Sequence, residues 1–219
     1  MNNGTIPKQK IALIGATGKT GTQFLTRALE AGHTVRALVR DPMKLQIAHP
    51  NLKVVKGDVL SLPTVKEVVK DTDIVVSVFG HVKGSPALLQ KDGTKHILLA
   101  MNEFAVERII SLSGGGLPYP EKDQPKLIDR IIRGIMRITV PQILQDAEYH
   151  LAVLKASDRV WTVVRGPRLT DGPYTGQYQV GWVGTVQGTK LSRADLADYL
   201  LKQVNHIDFP SELPFLASS

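Results

Sequence analysis

Cysteine is absent from the 219-residue chain. That absence removes disulfides, thiolate nucleophiles, iron–sulfur clusters and zinc knuckles, and is compatible with a reducing compartment. Nowhere do about 18 apolar residues follow one another, and the N-terminal MNNGTIPKQK has no apolar run of signal-peptide length. A cytoplasmic protein without a membrane partner is the expectation. Aromatic residues make up only 5% of the chain, and the basic residues behind its formal charge of +7 are scattered. This argues against a nucleic-acid partner and suits a phosphate-rich small ligand. The six histidines lack the paired spacing of a zinc site, so no metal is expected, and no G-x-S-x-G elbow exists for a serine hydrolase. Repeats and low-complexity segments are missing too. With 42% hydrophobic residues the chain can bury one substantial core, so a single domain over 1–219 is expected, as a monomer or weak homo-oligomer.

What is present begins with Ile11–Thr22, "IALIGATGKTGT". Its Gly-Lys-Thr resembles the tail of a triphosphate loop, but such a loop needs a glycine where this chain has Leu13. The spacing of Gly15, Gly18 and Gly21 instead fits a tight turn between a first strand and a first helix, where a dinucleotide pyrophosphate meets the helix N-terminus. In that setting Thr17, Lys19 and Thr20 offer N–H and side-chain groups to the phosphates.

The turn has the required context. Lys10–Ile14 reads as a buried strand and Lys19–Ala31 as a helix ended by Gly32. Strands follow at Thr34–Val39, Leu52–Lys56, Ile74–Phe79, Arg108–Ser113 and Trp161–Arg165, with helices at Pro63–Lys70, Ala87–Asn102 and Ser192–Val204. A long helical pattern over Gln124–Ser157 is interrupted at Pro141. This alternation predicts an α/β, doubly wound parallel sheet of Rossmann type with right-handed crossovers, carrying a small C-terminal substrate lobe. Residues 166–190, rich in Gly, Pro and Tyr, and residues 114–124 are the candidate walls of a substrate pocket.

The end of the second strand bears on which dinucleotide is held. An NAD site usually places an acid there for the ribose hydroxyls, whereas a 2′-phosphate calls for a cation. Here the strand ends in Arg40, with Lys44 four residues on, which favours NADPH; Asp41 is the residue that could instead reach a ribose. Arg130, Arg133 and Arg137 share one helix face, either solvated or forming an anion-recruiting rim, and Ser192 with Asp195 has the pattern of a helix N-cap.

"GATGKTG", "VRALVRDPMKL", "VVKGDVLSLPTV", "DIVVSVFG", "DGTKHILLAM", "YHLAVLKAS", "GPRLTDGPYTGQY" and "LSRADLADYLL" together resemble the atypical short-chain dehydrogenase/reductase-like proteins. The likeness spans nearly the whole chain and points most narrowly to the branch of NADPH-dependent flavin reductase, or biliverdin-IXβ reductase. The resemblance implies further cofactor contacts: Asp58 and Val59 at the adenine, Phe79, Gly80 and His81 along the dinucleotide, and Leu112, Ser113 and Arg168 near the nicotinamide. It also implies a pocket above that ring for flavins and tetrapyrroles, with Ser113 and Arg168 in catalytic roles.

Departures narrow the chemistry. A typical short-chain dehydrogenase protonates substrate with Tyr assisted by Lys four positions later, but Tyr119, Tyr149, Tyr174, Tyr178 and Tyr199 are followed at that spacing by Asp123, Val153, Tyr178, Trp182 and Gln203. Gly114 stands where the flavin-reductase branch commonly has Ser, and Arg168 where it has His, which weighs against bilin reduction. The expected activity is NADPH-dependent hydride transfer to a planar acceptor, flavin as substrate or a quinone-like molecule, with tyrosines and tryptophan of the pocket segment offering rings to stack on it. The alternative is a non-catalytic NADP-binding sensor of the nitrogen-metabolite-repressor type.

Overall fold

The computed structural model describes residues 7–218, and its first strand, β1 (Lys10–Ile14), is buried at every residue after Lys10. A strand without a polar side must be covered on both faces, which is the environment of a central parallel strand. The same composition recurs in β2 (Thr34–Val39), β4 (Ile74–Ser77), β5 (Arg108–Gly114) and β6 (Val160–Gly166), while β3 (Leu52–Lys56) is more exposed at the sheet edge. These six strands run parallel in the order β3-β2-β1-β4-β5-β6. The chain thus winds outward from β1 in one direction, then returns to β4 on its other side, and the reversal opens a crevice at the carboxyl ends of β1 and β4.

Helices α1 (Lys19–Glu30) and α6 (Arg193–Asn205) cover one face, burying Phe24, Leu25, Leu196 and Leu200. Helices α2 (Leu62–Val69), α3 (Leu89–Glu103) and α5 (Pro141–Lys155) cover the other with Val65, Val68, Ile97, Met101, Leu151 and Leu154. Helix α1 ends where Gly32 turns to φ +83° and the His33 N–H reaches the Ala28 carbonyl, a wrap that glycine permits without strain. Helix α4 (Leu127–Thr139) ends before Val140 and α5 starts at Pro141, the interruption that the sequence predicts.

The structure adds strands that periodicity does not reveal. Within 166–190 lie β7 (Arg168–Thr170) and β8 (Tyr178–Gly181), and β9 (Lys190–Ser192) pairs with β7 as a separate two-stranded sheet. At the C-terminus β10 (Phe215–Ser218) joins β6 in parallel and β8 in antiparallel fashion, so the eight-stranded sheet is parallel except at its β8 edge. The fourth strand stops at Ser77, short of the predicted Phe79; the Val78 N–H still reaches the Ile14 carbonyl at 2.9 Å, and the Val78–Phe79 backbone lies against the Gly15 turn.

A buried polar thread ties α3, α5 and β5 together. His150 pairs its Nδ1 with Thr94 Oγ1 at 2.7 Å and its Nε2 with Ser111 Oγ at 3.0 Å, all three side chains being buried. Burial pushes the imidazole down to about 4 against the opposing pull of Asp146. Because that value lies below the ordinary 6.5, the unfolded chain binds the proton more readily than the folded one. Stability from this group is complete above about pH 6.5 and is expected to fall by about 3 kcal/mol as pH drops toward about 4. His150→Gln is expected to be less stable at neutral pH yet to lose that part of the pH slope, measured by urea unfolding across the interval; an unaltered slope would contradict the assignment.

Candidate functional site

The glycine-rich turn joins β1 to α1, and each glycine answers a different steric demand. Gly15 has φ +95°, and a Cβ there would sit 2.7 Å from the Phe79 amide nitrogen. A Cβ on Gly21 would lie 2.0 Å from the Gly15 carbonyl oxygen. These two are required by the fold itself. Gly18 is not: it is the extended N-cap residue of α1 with φ −73°, and a Cβ would meet only the Gly15 oxygen, at 3.2 Å. No side chain caps α1 and its first turn holds no acidic residue, which leaves the orphan amides of that turn turned outward beside Gly18.

A cleft of about 320 Å³ opens beside this turn, bringing together Gly15, Thr17, Gly18, Arg40, Lys44, Asp58, Val59, Phe79 and Gly80. Lys44 ends a short 3₁₀ turn, Pro42–Lys44, whose start is capped by Asp41: its Oδ1 accepts from the Met43 N–H at 3.2 Å. That bond engages one carboxylate oxygen of Asp41, which is not among the residues lining the cleft. Arg40 Nε stands 4.0 Å from Asp58 Oδ2, and both side chains are substantially exposed, so the pair holds the guanidinium loosely at the rim. Two predicted contacts lie outside the cleft wall. Thr20 is buried, and the Lys19 ammonium is 2.6 Å from Asp171, beyond β7.

Val78, Phe79 and Gly80 are shared with a second cleft of about 240 Å³ that also contains His81, Leu112 and Ser113. Ser113 is among the residues around this cleft, and its buried Oγ has no hydrogen-bond partner among the described residues. His81 is more constrained than sequence suggests: its Nε2 lies 2.6 Å from Asp146 Oδ2. Asp146 is itself fully buried and accepts from the Gln90 and Lys91 N–H groups at 2.7 and 2.9 Å. It thereby caps α3 and fixes the imidazole beside the cleft. Asp146 is a residue that sequence reasoning missed.

The second cleft shares Gly114, Gly116, Met136, Gly166 and Pro167 with a third, of about 390 Å³. Both predicted pocket segments contribute to it: Gly114–Gly116 from one, and Gly166–Arg168, Val183, Gly184, Val186, Gly188 and Thr189 from the other. Helix α4 supplies Asp129, Ile132, Arg133 and Met136, and Phe215 completes the wall. Arg168 is exposed on it, and no ion pair to it occurs among the described residues.

What shapes these loops is a buried charge pair. Arg165 donates through Nη1 and Nη2 to the two carboxylate oxygens of Asp123, each at 2.8 Å, and to the carbonyls of Leu117 and Leu213 at 2.8 and 2.9 Å. Asp123 also accepts from the N–H groups of Tyr119 and Val183. A second buried carboxylate, Asp195, accepts from the Thr175 and Gly176 amides and from the hydroxyls of Thr175 and Ser192, while Ser192 Oγ caps α6. The N-cap expected from Ser192 and Asp195 is therefore present, and its acid also folds the Thr175–Gly176 turn.

The aromatic rings expected to stack on an acceptor are elsewhere, and none of the five tyrosines or two tryptophans lines these clefts. Tyr178 turns to Asp198 and Lys202 on α6, with burial pushing its phenol up to about 12. Trp182 packs edge-on against Tyr119 and Phe209. Phe79 and Phe215 are the rings that face the crevice.

Both the chain and its fold have relatives among known proteins. The NAD(P)H-binding family model matches residues 15–207. The chain belongs to that family. Among the relatives, the uncharacterized protein YwnB of Bacillus subtilis is 28% identical over 210 residues, covering 93% of this chain and 95% of its own length. The fold matches that of a short-chain dehydrogenase/reductase from Veillonella parvula in complex with NADP, with TM-score 0.78 and 15% identity over 97% of this chain and 95% of that one. It also matches ChuY, an anaerobilin reductase from Escherichia coli O157:H7, with TM-score 0.76 and 18% identity over 95% and 96% of the two chains.

Proposed function

We propose that this NAD(P)H-binding protein is an NADPH-dependent reductase that passes hydride to a planar acceptor, with free flavin the best-fitting class. The observation that carries the proposal is the adjacency of the three clefts, which share wall residues. The clefts adjoin one another through shared wall residues, from the bare N-terminus of α1, through the cleft that Ser113 borders, to an apolar chamber with two guanidinium groups at its wall.

In this reading the α1 amides hold the pyrophosphate, Arg40 and Lys44 hold the 2′-phosphate, and Asp58 and Val59 border the adenine. Phe79, Gly80 and the fixed His81 line the path toward Ser113, whose hydroxyl donates to the carboxamide end of the cofactor or to the acceptor. The bound dinucleotide supplies the hydride. Ile132, Met136, Val183 and Phe215 give the acceptor an apolar seat, while Arg133 and Arg168 attract an anionic arm and stabilise negative charge as hydride arrives. Arg168 cannot serve as the proton donor, because a guanidinium does not release its proton at ordinary pH. A flavin fits this lack of an acid, since it takes its proton from water once positioned. ChuY, an anaerobilin reductase by its name, shares the fold, which is compatible with a reductase role here.

Two measurements test the proposal. Arg40→Ala is expected to weaken NADPH binding by about 1.5–3 kcal/mol while leaving NADH binding nearly unchanged, because only the former loses a charge-assisted contact. Calorimetry with both cofactors reads this directly, and equal losses would remove Arg40 from the phosphate site. Steady-state NADPH oxidation with free flavins, quinones and a bilin is expected to favour flavins, and Arg168→Ala should reduce kcat/KM for FMN more than for uncharged riboflavin. Tight NADP binding without turnover of any acceptor would instead favour a redox sensor.

A further inference from the structure

Helix α4 is amphipathic along its whole length, yet none of its residues is buried. One edge of it lies on the body: Asp129, Ile132, Arg133 and Met136 face the acceptor chamber. On a helical wheel the opposite side carries Leu127, Ile128, Ile131, Ile135 and Ile138, a continuous stripe along the 13-residue helix. These side chains are 48–84% exposed. Five large aliphatic residues left open in one row are far from the scattered exposure of an ordinary surface.

The charges beside the stripe identify its occupant. Arg130 and Arg137 flank it on one side and Lys126 stands at its start, whereas Asp129, the helix's only acid, is turned inward and accepts from the Lys126 N–H. The exposed rim is therefore cationic without a compensating acid from the helix. A second copy of the chain seated on this face would bring two such rims together, within a protein whose formal charge is already +7. An anionic bilayer surface presents the complementary charge and an apolar layer beneath it, which is the environment that a helix with isoleucines on one side and arginines beside them matches.

We infer that α4 docks this protein peripherally on anionic phospholipid membranes, its isoleucine stripe entering the headgroup boundary and Arg130, Arg137 and Lys126 meeting lipid phosphates. No helix of the described residues is long and apolar enough to cross a membrane, so the contact is interfacial. Because α4 also forms one wall of the acceptor chamber, docking would bring that chamber close to the lipid surface. The inference concerns a face that no step of the proposed reduction uses.

The test is co-sedimentation of the full chain with vesicles of phosphatidylcholine alone and of phosphatidylcholine mixed with phosphatidylglycerol. Binding is expected to the mixed vesicles only, and to weaken as salt is raised. Ile131→Glu with Ile135→Glu should lower partitioning at least roughly tenfold, and Arg130→Gln with Arg137→Gln should lower it and flatten the salt dependence. Both variants should keep the wild-type melting temperature and NADPH affinity, which separates loss of docking from loss of fold or cofactor. The inference is overturned if the wild-type chain ignores anionic vesicles at low salt, or if the double glutamate variant still binds them. A dimer in sedimentation velocity that the glutamates dissociate, without vesicle binding, would also overturn it and assign the face to a second copy.

Discussion

Asp123→Ala is expected to lower the stability of this NAD(P)H-binding protein by about 3–5 kcal/mol, one of the largest losses available to a single substitution here. The side chains of Asp123 and Arg165 are 3% and 0% exposed, so removal of the carboxylate strands a guanidinium where water cannot reach it. The loss extends beyond the ion pair. Asp123 accepts from the amides of Tyr119 and Val183, and Arg165 donates to the carbonyls of Leu117 and Leu213, so one pair joins four separate segments. Urea unfolding measures the change. Asp123→Leu combined with Arg165→Met should recover part of the stability, because no charge is left buried, but not all of it, because the backbone groups lose their partners. A loss below about 1 kcal/mol in Asp123→Ala would show that water or a neighbouring group relieves the arginine. The same variant should impair acceptor use even where it stays folded, since residues 114–116 and 183 line the chamber proposed for the acceptor.

That pair also marks where sequence stops being a guide to the site. The parallel core was legible because each strand is a run of buried apolar residues and each crossover helix has its own period, so local pattern and tertiary environment agree. The glycine turn was legible because its three glycines fall within seven residues of chain, although the Gly15 demand comes partly from the distant Phe79 backbone. Asp146 and His81 meet across 65 positions, and Asp123 and Arg165 across 42. Nothing local distinguishes such residues from solvated ones. β7, β8 and β10 are strands of three or four residues, too short for periodicity, and their partners rather than their propensity make them extended. The expectation of stacking aromatics failed on the same ground: Tyr178 and Trp182 lie in a pocket-forming segment, but strand alternation and packing direct them to α6 and to Phe209. Arg168, by contrast, reaches the chamber wall because the strand that carries it begins where the wall ends.

Gly18→Val is expected to fold and yet to lose NADPH. The backbone at this position has φ −73° and ψ 158°, which valine adopts readily, and the added Cβ meets only the Gly15 oxygen at 3.2 Å. A few tenths of an ångström of relaxation and the exchange of Gly for Val at a helix N-cap should cost about 1 kcal/mol of stability. On the ligand side the same methyl groups stand over the first-turn amides of α1, where the pyrophosphate must approach the backbone most closely. Losing two charge-assisted hydrogen bonds of about 1.5 kcal/mol each corresponds to roughly a hundredfold weaker binding. Calorimetric titration beside a thermal melt reads both quantities, and Gly18→Ala should fall between the wild type and the valine variant. Gly21→Ala supplies the contrast, because its Cβ would be 2.0 Å from the Gly15 oxygen and should damage the fold before any question of ligand arises. A well-folded Gly18→Val that binds NADPH with unchanged affinity would take the pyrophosphate off this turn, and with it the alignment of the three clefts along a bound dinucleotide.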